Sequence, residues 1–245
     1  LLSLTTPLPY DHLLIKRIRA FEGLSQLFRF ELEMLHDDRE EAGDEPTLID
    51  PKELLGQKMT VAVQQADGAE RFFNGVCVQF TQGNRNESFS KYRAELVPQF
   101  WLLTQNSQSR IFQNVSVPEI LKKVLVGLEV TYEIQGNFEP RNYCVQYRES
   151  DFNFASRLME EEGIFYYFRH ASGKHTMVLA DRQAAYFDLD DGEVEYRHAN
   201  KMEEQITAWE HFKEFRPGRW AQTDYNFKTP RRDLMSREAS TVKLP

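Results

Sequence analysis

The chain's 245 residues suffice for one large β-rich domain or two average ones, and a composition of 41% hydrophobic and 13% aromatic residues excludes wholesale disorder. Thirty basic against 38 acidic side chains leave a formal charge of -8, which disfavours nucleic acid as a partner. No apolar run approaches the roughly eighteen residues of a membrane-spanning helix, so no stable membrane association is expected.

The N-terminal Leu1-Leu2-Ser3-Leu4 lacks the basic and apolar segments of a Sec leader. His12 to Phe21, with Leu14, Ile18 and Phe21 as apolar positions, is assigned as a strand. From Leu27 to Leu35 the alternation is cleaner: Phe28, Phe30, Leu32 and Met34 interleave with Arg29, Glu31 and Glu33, the period of two that turns one strand face inward. Residues 37 to 50 are strongly acidic and broken by Gly43 and Pro46, so they are expected as an exposed loop; the ligand spacing of a calcium loop is missing.

Asp50-Pro51-Lys52-Glu53-Leu54-Leu55-Gly56 has the cap, first-turn proline and terminal glycine of a single helical turn. Strands then resume over Met59 to Gln64, Arg71 to Thr81 and Ser88 to Leu103, with turns assigned to Asp67-Gly68 and Gly83-Asn84. Such a run of strands through about residue 110 suggests a barrel or sandwich. The two cysteines, Cys77 and Cys144, are too far apart for a CxxC site and are expected as buried thiols.

Beyond that point the pattern changes. Ser116-Val117-Pro118-Glu119 opens a helix over Ile120 to Val126, and Ser150-Asp151-Phe152-Asn153 starts another, with Phe154, Ala155, Leu158 and Met159 as its stripe and Gly163 as its stop. Strands are assigned to Glu129 to Ile134, Tyr143 to Tyr147, Ile164 to Arg169 and His175 to Ala180, the last two joined at Ser172-Gly173-Lys174. Within the second helix, Arg157 and Glu161 fall four apart and are expected to pair. The tail returns to β structure over Ile206 to Phe215 and, after the Pro217-Gly218 turn, Arg219 to Lys228.

Tyr143 is followed by Gln146, Tyr147, Glu149, Ser150, Asp151, Phe154, Arg157, Leu158, Glu160, Gly163, Ile164, Tyr166 and Phe168. The spacing from Gln146 onward is Q-Y-x-E-S-D-x-x-F-x-x-R-L-x-E-x-x-G-I-x-Y-x-F. This closely resembles the VgrG family of type VI secretion spike proteins, whose N-terminal hub region is similar to contractile phage tail hubs. Pro51 to Gly56 resembles the family's P-x-x-L-L-G element, and Gly218 with Asp224, Tyr225, Asn226 and Phe227 resembles its late hairpin. What the resemblance implies is a β-dominated α+β chain with barrel-like hub domains and an inserted α+β domain. Its expected divisions are a barrel-like domain over 1–115, an insertion over 116–200, and a hairpin segment over 201–245 that completes the first barrel or begins the second.

By the same resemblance the expected role is structural. A homotrimeric hub adapts a hexameric Hcp-like tube to a C-terminal spike, in contact with baseplate components, and a PAAR-type tip and effectors join through the part that would follow Pro245. Assembly in the cytoplasm and export through the type VI machine, without a signal peptide, are implied too. A phage or prophage tail hub is the alternative of similar architecture. No cofactor is expected.

An alternative of another class is a carbohydrate-active β-domain enzyme, which would need two carboxyl groups converging across a bond. Neighbours in Glu160-Glu161-Glu162 point about 100° apart on a helix and do not supply them. His170 and His175 flank a turn and can approach across a hairpin, but no third zinc ligand is close in sequence. The motifs GxSxG, GxxxxGK[ST] and GxGxxG are absent, and Arg231, Arg232 and Arg237 fit a solvated loop or a subunit contact. A triad assembled from distant positions is still open to such a chain, but the resemblance places enzymatic activity in C-terminal extensions, so no catalytic residues and no enzyme are expected here.

Overall fold

The computed structural model describes residues 1–38, 49–65, 67–85, 88–186, 196, 206, 208–212, 214 and 217–239. They fall into two compact units, Leu1–Asp190 and Asp191–Pro245.

The first unit begins with a six-stranded antiparallel sheet made from β1 (Leu2–Thr5), β2 (Leu14–Phe21), β3 (Arg29–Asp37), β4 (Lys58–Gln64), β5 (Glu70–Arg85) and β6 (Phe89–Val97). Their order is β1-β4-β5-β6-β3-β2, and the edge strands β1 and β2 approach within 8 Å between Cα atoms, so the sheet curls toward a barrel. Strict alternation on β3 sends Phe30, Leu32, Met34 and His36 inward against Met59, Val61, Cys77, Tyr92 and Leu96. Register shifts in β2 between Ile15 and Arg17 and in β5 between Cys77 and Gln79 supply the bends that curvature requires. Asp50 accepts a hydrogen bond from the Lys52 backbone N–H (2.9 Å), capping a 3-10 turn at Pro51–Glu53, and Gly56 follows at φ +79°.

Two sequence expectations change here. Gly83 and Asn84 lie within β5 rather than in a turn, because the strand runs on to Arg85; the connection to β6 falls outside the described residues. The strand expected to reach Leu103 stops at Val97, where Pro98 has no N–H to donate, and Gln99–Thr104 winds into 3-10 turns. The acidic loop lies mostly outside the described residues, which include its two ends.

The rest of this unit has a second core. Helix α1 (Val117–Val124) is held by a capping box between Ser116 and Glu119 and buries Val117, Ile120, Leu121 and Val124. Strands β7 (Gln108–Phe112) and β9 (Cys144–Glu149) form an antiparallel ribbon. Strands β10 (Phe165–Ala171) and β11 (Lys174–Ala180) form a hairpin, and β11 also pairs in parallel with β8 (Val130–Glu133). Helix α2 (Asp151–Glu162) packs Phe154, Ala155, Leu158 and Met159 against α1 and these strands. Phe168 on β10 touches both cores. The protein is thus strand-dominated, with a barrel-like sheet and an α+β body.

In the second unit, β12 (Arg219–Gln222) pairs antiparallel with β13 (Ser236–Ala239), and an isolated bridge joins Tyr196 to Ile206. The strand expected over Ile206 to Phe215 is not formed by the described residues there: 208–212 and 214 have no regular structure, and Trp209 and Phe212 are exposed. Without a ladder partner a strand has nowhere to place its backbone hydrogen bonds. The strand expected from Arg219 to Lys228 likewise ends at Gln222, and Asp224 and Tyr225 lie in the β12–β13 connection. No described helix is long and apolar enough to cross a membrane.

Candidate functional site

The motif of residues 143–168 builds a polar clasp. Register pairs Arg110 with Gln146, Ile111 with Val145 and Phe112 with Cys144, so Gln146 and Cys144 face inward while Val145 and Tyr147 face out. The chain then turns at Ser150, whose Oγ accepts from the Asn153 N–H (3.1 Å), and Asp151 becomes the first residue of α2. That position puts the Asp151 carboxylate, only 4% exposed as a residue, at the positive end of the helix.

Four side chains donate to this carboxylate: Arg110 through Nη2, Gln146 through Nε2 (2.8 Å), Asn106 through Nδ2 (2.9 Å) and, more weakly, Gln108 through Nε2 (3.4 Å). The Gln146 amide is used on both sides, accepting from Arg110 Nε (2.8 Å) and donating to the Glu149 carbonyl (3.0 Å). A buried ion pair is stable only when its remaining hydrogen-bonding capacity is filled. The amides do that filling here.

A second ion pair is made by Arg157, six residues further along α2. Arg157 grips Glu149 through Nη2 (2.7 Å) and Nε (3.0 Å) and donates again to the Val145 carbonyl (2.8 Å). The pairing expected with Glu161 is present at 3.7 Å but is the longer contact. Glu161 turns instead to Arg141 Nη1 (2.6 Å), and Glu162 to Arg141 Nη2 (2.5 Å). Adjacent helical carboxylates do point apart, yet one planar guanidinium at the helix end reaches both. Gly163 then closes α2 at φ +70°, with the Ile164 N–H donating to the Met159 carbonyl (2.8 Å). Phe154, Leu158, Ile164 and Tyr166 are buried, and burial pushes the Tyr166 phenol up to about 12.

Five motif residues stand apart from this internal work. Tyr143 is 58% and Tyr147 68% exposed, on the outward face of the ribbon with exposed Ile111. Glu160 is exposed on α2. Asp224 and Tyr225 belong to the second unit and are exposed there.

Another polar cluster joins the barrel to the α+β body. His170 and His175 are cross-strand partners, with ring centroids 6.2 Å apart. The Gln99 N–H donates to His175 Nε2 (2.9 Å), so the ring's proton sits on Nδ1, which donates to Asn74 Oδ1 (2.7 Å). Asn74 Nδ2 in turn donates to Thr60 Oγ1 (2.8 Å). His170 Nε2 donates to Glu22 Oε1 (2.8 Å), and its Nδ1 receives the Asn74 N–H (3.2 Å). Nearby, Lys58 pairs with Glu129 at 2.5 Å. Spacing predicts the meeting of the two histidines, but nothing in the sequence marks Asn74 or Gln99, about a hundred and seventy-six positions from His175 respectively. Among the described residues no group of three or more His, Cys, Asp and Glu side chains is arranged to hold a metal.

Carboxylates on the outer barrel face are also spoken for: Glu33 by Arg17 (3.7 Å), Glu31 by Arg19 (3.4 Å) and Glu95 by Arg29 (2.8 Å). What the two clusters accomplish is fastening: one ties α2 to the ribbon, the other ties the hairpin to the barrel.

Comparison with known proteins agrees with that character. The profile of the family described as Phage tail baseplate hub (GPD) matches residues 21–243. The type VI secretion system spike protein VgrG1a of Pseudomonas aeruginosa is 35% identical over 237 residues, covering 94% of this chain and 36% of that protein. Its paralogue VgrG1c is 34% identical over 238 residues, covering 94% of this chain and 32% of the relative. The chain therefore spans about a third of the length of these relatives. Among solved structures, the E. coli protein c3393 matches with a TM-score of 0.58 at 25% identity, over 71% of this chain and 50% of that one. That protein is described as a component of the type VI secretion system with structural similarity to the T4 bacteriophage tail proteins gp27 and gp5. With its match along nearly the whole chain, its barrel-like sheet and its α+β body, this chain belongs to the phage tail baseplate hub family and is similar along that length to the VgrG spike proteins.

Proposed function

We propose that the chain is the hub region of a type VI secretion spike, a structural part that trimerises and adapts a hexameric Hcp-like tube to a C-terminal spike. In this reading residues 1–115 are the first barrel domain, 116–200 its insertion, and 201–245 a hairpin segment that completes the first barrel or begins the second. Baseplate proteins, a PAAR-type tip and effectors are its remaining partners, and the assembled spike leaves the cell through the machine.

The observation that carries this reading is the similarity to type VI spike proteins along nearly the whole chain. The clasp adds support, because its charged groups are spent on one another and leave none poised for chemistry. Light scattering across a concentration series up to about millimolar tests the assembly: a particle of three times 28.8 kDa is expected. A mass that stays at one chain throughout would refute trimerisation by this region. A phage tail hub is the second reading, favoured by the family description; failure to bind a hexameric type VI tube protein, with trimerisation intact, would select it.

A further inference from the structure

We propose that the joint between the barrel and the α+β body is a proton-operated latch centred on His175: the neutral imidazole closes it, and acid releases the β10–β11 hairpin from strand β5.

His175 is 2% exposed and has both nitrogens committed to different roles, Nδ1 donating to Asn74 Oδ1 and Nε2 accepting from the Gln99 N–H. A second proton on the ring would sit on Nε2 and face the Gln99 N–H, donor against donor, on a ring buried away from the surface. His170 is built differently. Its Nε2 lies against the Glu22 carboxylate, and its Nδ1 is 3.2 Å from the Asn74 N–H and 3.1 Å from the Asn74 carbonyl. It can therefore accept when neutral or donate when charged. One histidine tolerates both protonation states in the closed joint and the other tolerates only one.

The charged surroundings reinforce the asymmetry. Facing His175 are His170 across the hairpin, Lys58 on β4, Glu129 ahead of β8, and Lys174 beside it in the chain. Burial first, then the nearby His170 and Lys58, push the His175 imidazole down from 6.5 to about 4, with Glu129 opposing them weakly. Lys58 keeps Glu129 below the ordinary carboxylate range, so that carboxylate stays charged at pH 5 and does not confuse a test there. Phe28 and Phe168 wall the site, so opening the joint admits water to both rings.

The sign follows directly. A base whose closed-state pKa lies below its open-state value favours closure above the open-state pKa, and that contribution is lost as pH falls from about 6.5 toward about 4. Linkage between those two values raises the open-to-closed ratio about 20-fold between pH 7 and pH 5.

Hydrogen exchange read by mass spectrometry, corrected for the intrinsic pH dependence of exchange, measures this ratio segment by segment. The expected result is about 20-fold faster corrected exchange at pH 5 in peptides covering 58–62, 98–103 and 168–176, with peptides of α2 unchanged. In His175→Gln, whose amide offers one donor and one acceptor without titrating, that acid response is expected to vanish. An unchanged joint in the wild type, or the same acid response in His175→Gln, would overturn the proposal. Should the variant not fold, an NMR titration of the wild-type imidazoles decides: a ring assigned to His175 that is neutral at pH 5.5 supports the latch, and one already protonated at pH 6 overturns it.

Discussion

Replacing Asp151 by Asn tests whether the clasp is held by charge or merely by shape. The substitution is nearly isosteric, so packing around α2 is preserved while three things are lost. Arg110 keeps its charge with its partner gone, the amide donors of Gln146 and Asn106 face a neutral and partly donating group, and the helix N-terminus loses its anion. Breaking a buried pair by removing one partner costs about 3–5 kcal/mol, and the helix terminus adds about 0.3–1 kcal/mol. The side chain of Arg110 is 28% exposed against 5% for Asp151, so water relieves part of the stranded charge. About 2–4 kcal/mol is the resulting expectation after that discount. In a cooperative unit of this size it lowers the melting temperature by about 4–15 °C, measurable by circular dichroism. Adding Arg110→Gln to Asp151→Asn removes the orphaned charge and is expected to recover at least about 1 kcal/mol. A melting temperature within about 2 °C of wild type for Asp151→Asn would refute the electrostatic account.

Other outcomes follow from neighbouring contacts. Arg157→Gln loses the fork onto Glu149 and the bond to the Val145 carbonyl and should cost about 1–2 kcal/mol in urea unfolding, whereas Glu161→Gln should cost under about 0.5 kcal/mol; equal losses would restore the helical pair as the main contact. Gly163→Ala forces a side chain into the left-handed region and should destabilise by about 1–2 kcal/mol, read as a lower urea midpoint with an unchanged slope. The double variant Tyr143→Ser with Tyr147→Ser touches only exposed rings and should unfold within about 0.5 kcal/mol of wild type while weakening self-association in light scattering; a large loss of stability would assign those tyrosines to the fold.

Local chemistry made much of this structure legible in advance. Alternation on Phe28 to Met34 marked β3, and Ser116 with Glu119 and Ser150 with Gly163 marked both helices, because caps and periodicity are written within a few residues of where they act. Where the reading failed, the deciding partner lay outside the window. Gly83 and Asn84 have turn-like identities, but pairing with β6 carries the strand past them. Arg157 has an attractive carboxylate four residues on, yet Glu149, eight residues back across the Ser150 turn, offers both oxygens to its fork. Trp209 and Phe212 have strong β propensity, but propensity without a neighbouring strand leaves the backbone unpaired. The polar joint was least visible of all: Asn74 is an ordinary residue of a barrel strand until the β10–β11 hairpin lays His170 and His175 beside it.

The motif's two faces also explain why a string of such length can specify a structural part. Alternation along β9 divides it: Gln146 turns inward to the clasp, while Tyr147 turns outward, with the Arg148 guanidinium 5.5 Å from its ring centroid. The inward half fixes how α2 lies on the ribbon through directional, charge-assisted hydrogen bonds, which resist a change of angle more than an apolar contact of equal area does. The outward half is a pair of exposed aromatic rings, which offer large contact area at low entropic cost when covered. Under the proposed function those are the two requirements on a hub subunit, an unyielding internal geometry and an aromatic face held at a fixed orientation to its neighbours. Loosening the clasp should therefore impair assembly even where the outward tyrosines are untouched. Asp151→Asn, held at a temperature well below its own melting point, is expected to self-associate more weakly than wild type; undiminished self-association by a demonstrably loosened clasp would separate the two halves of the motif.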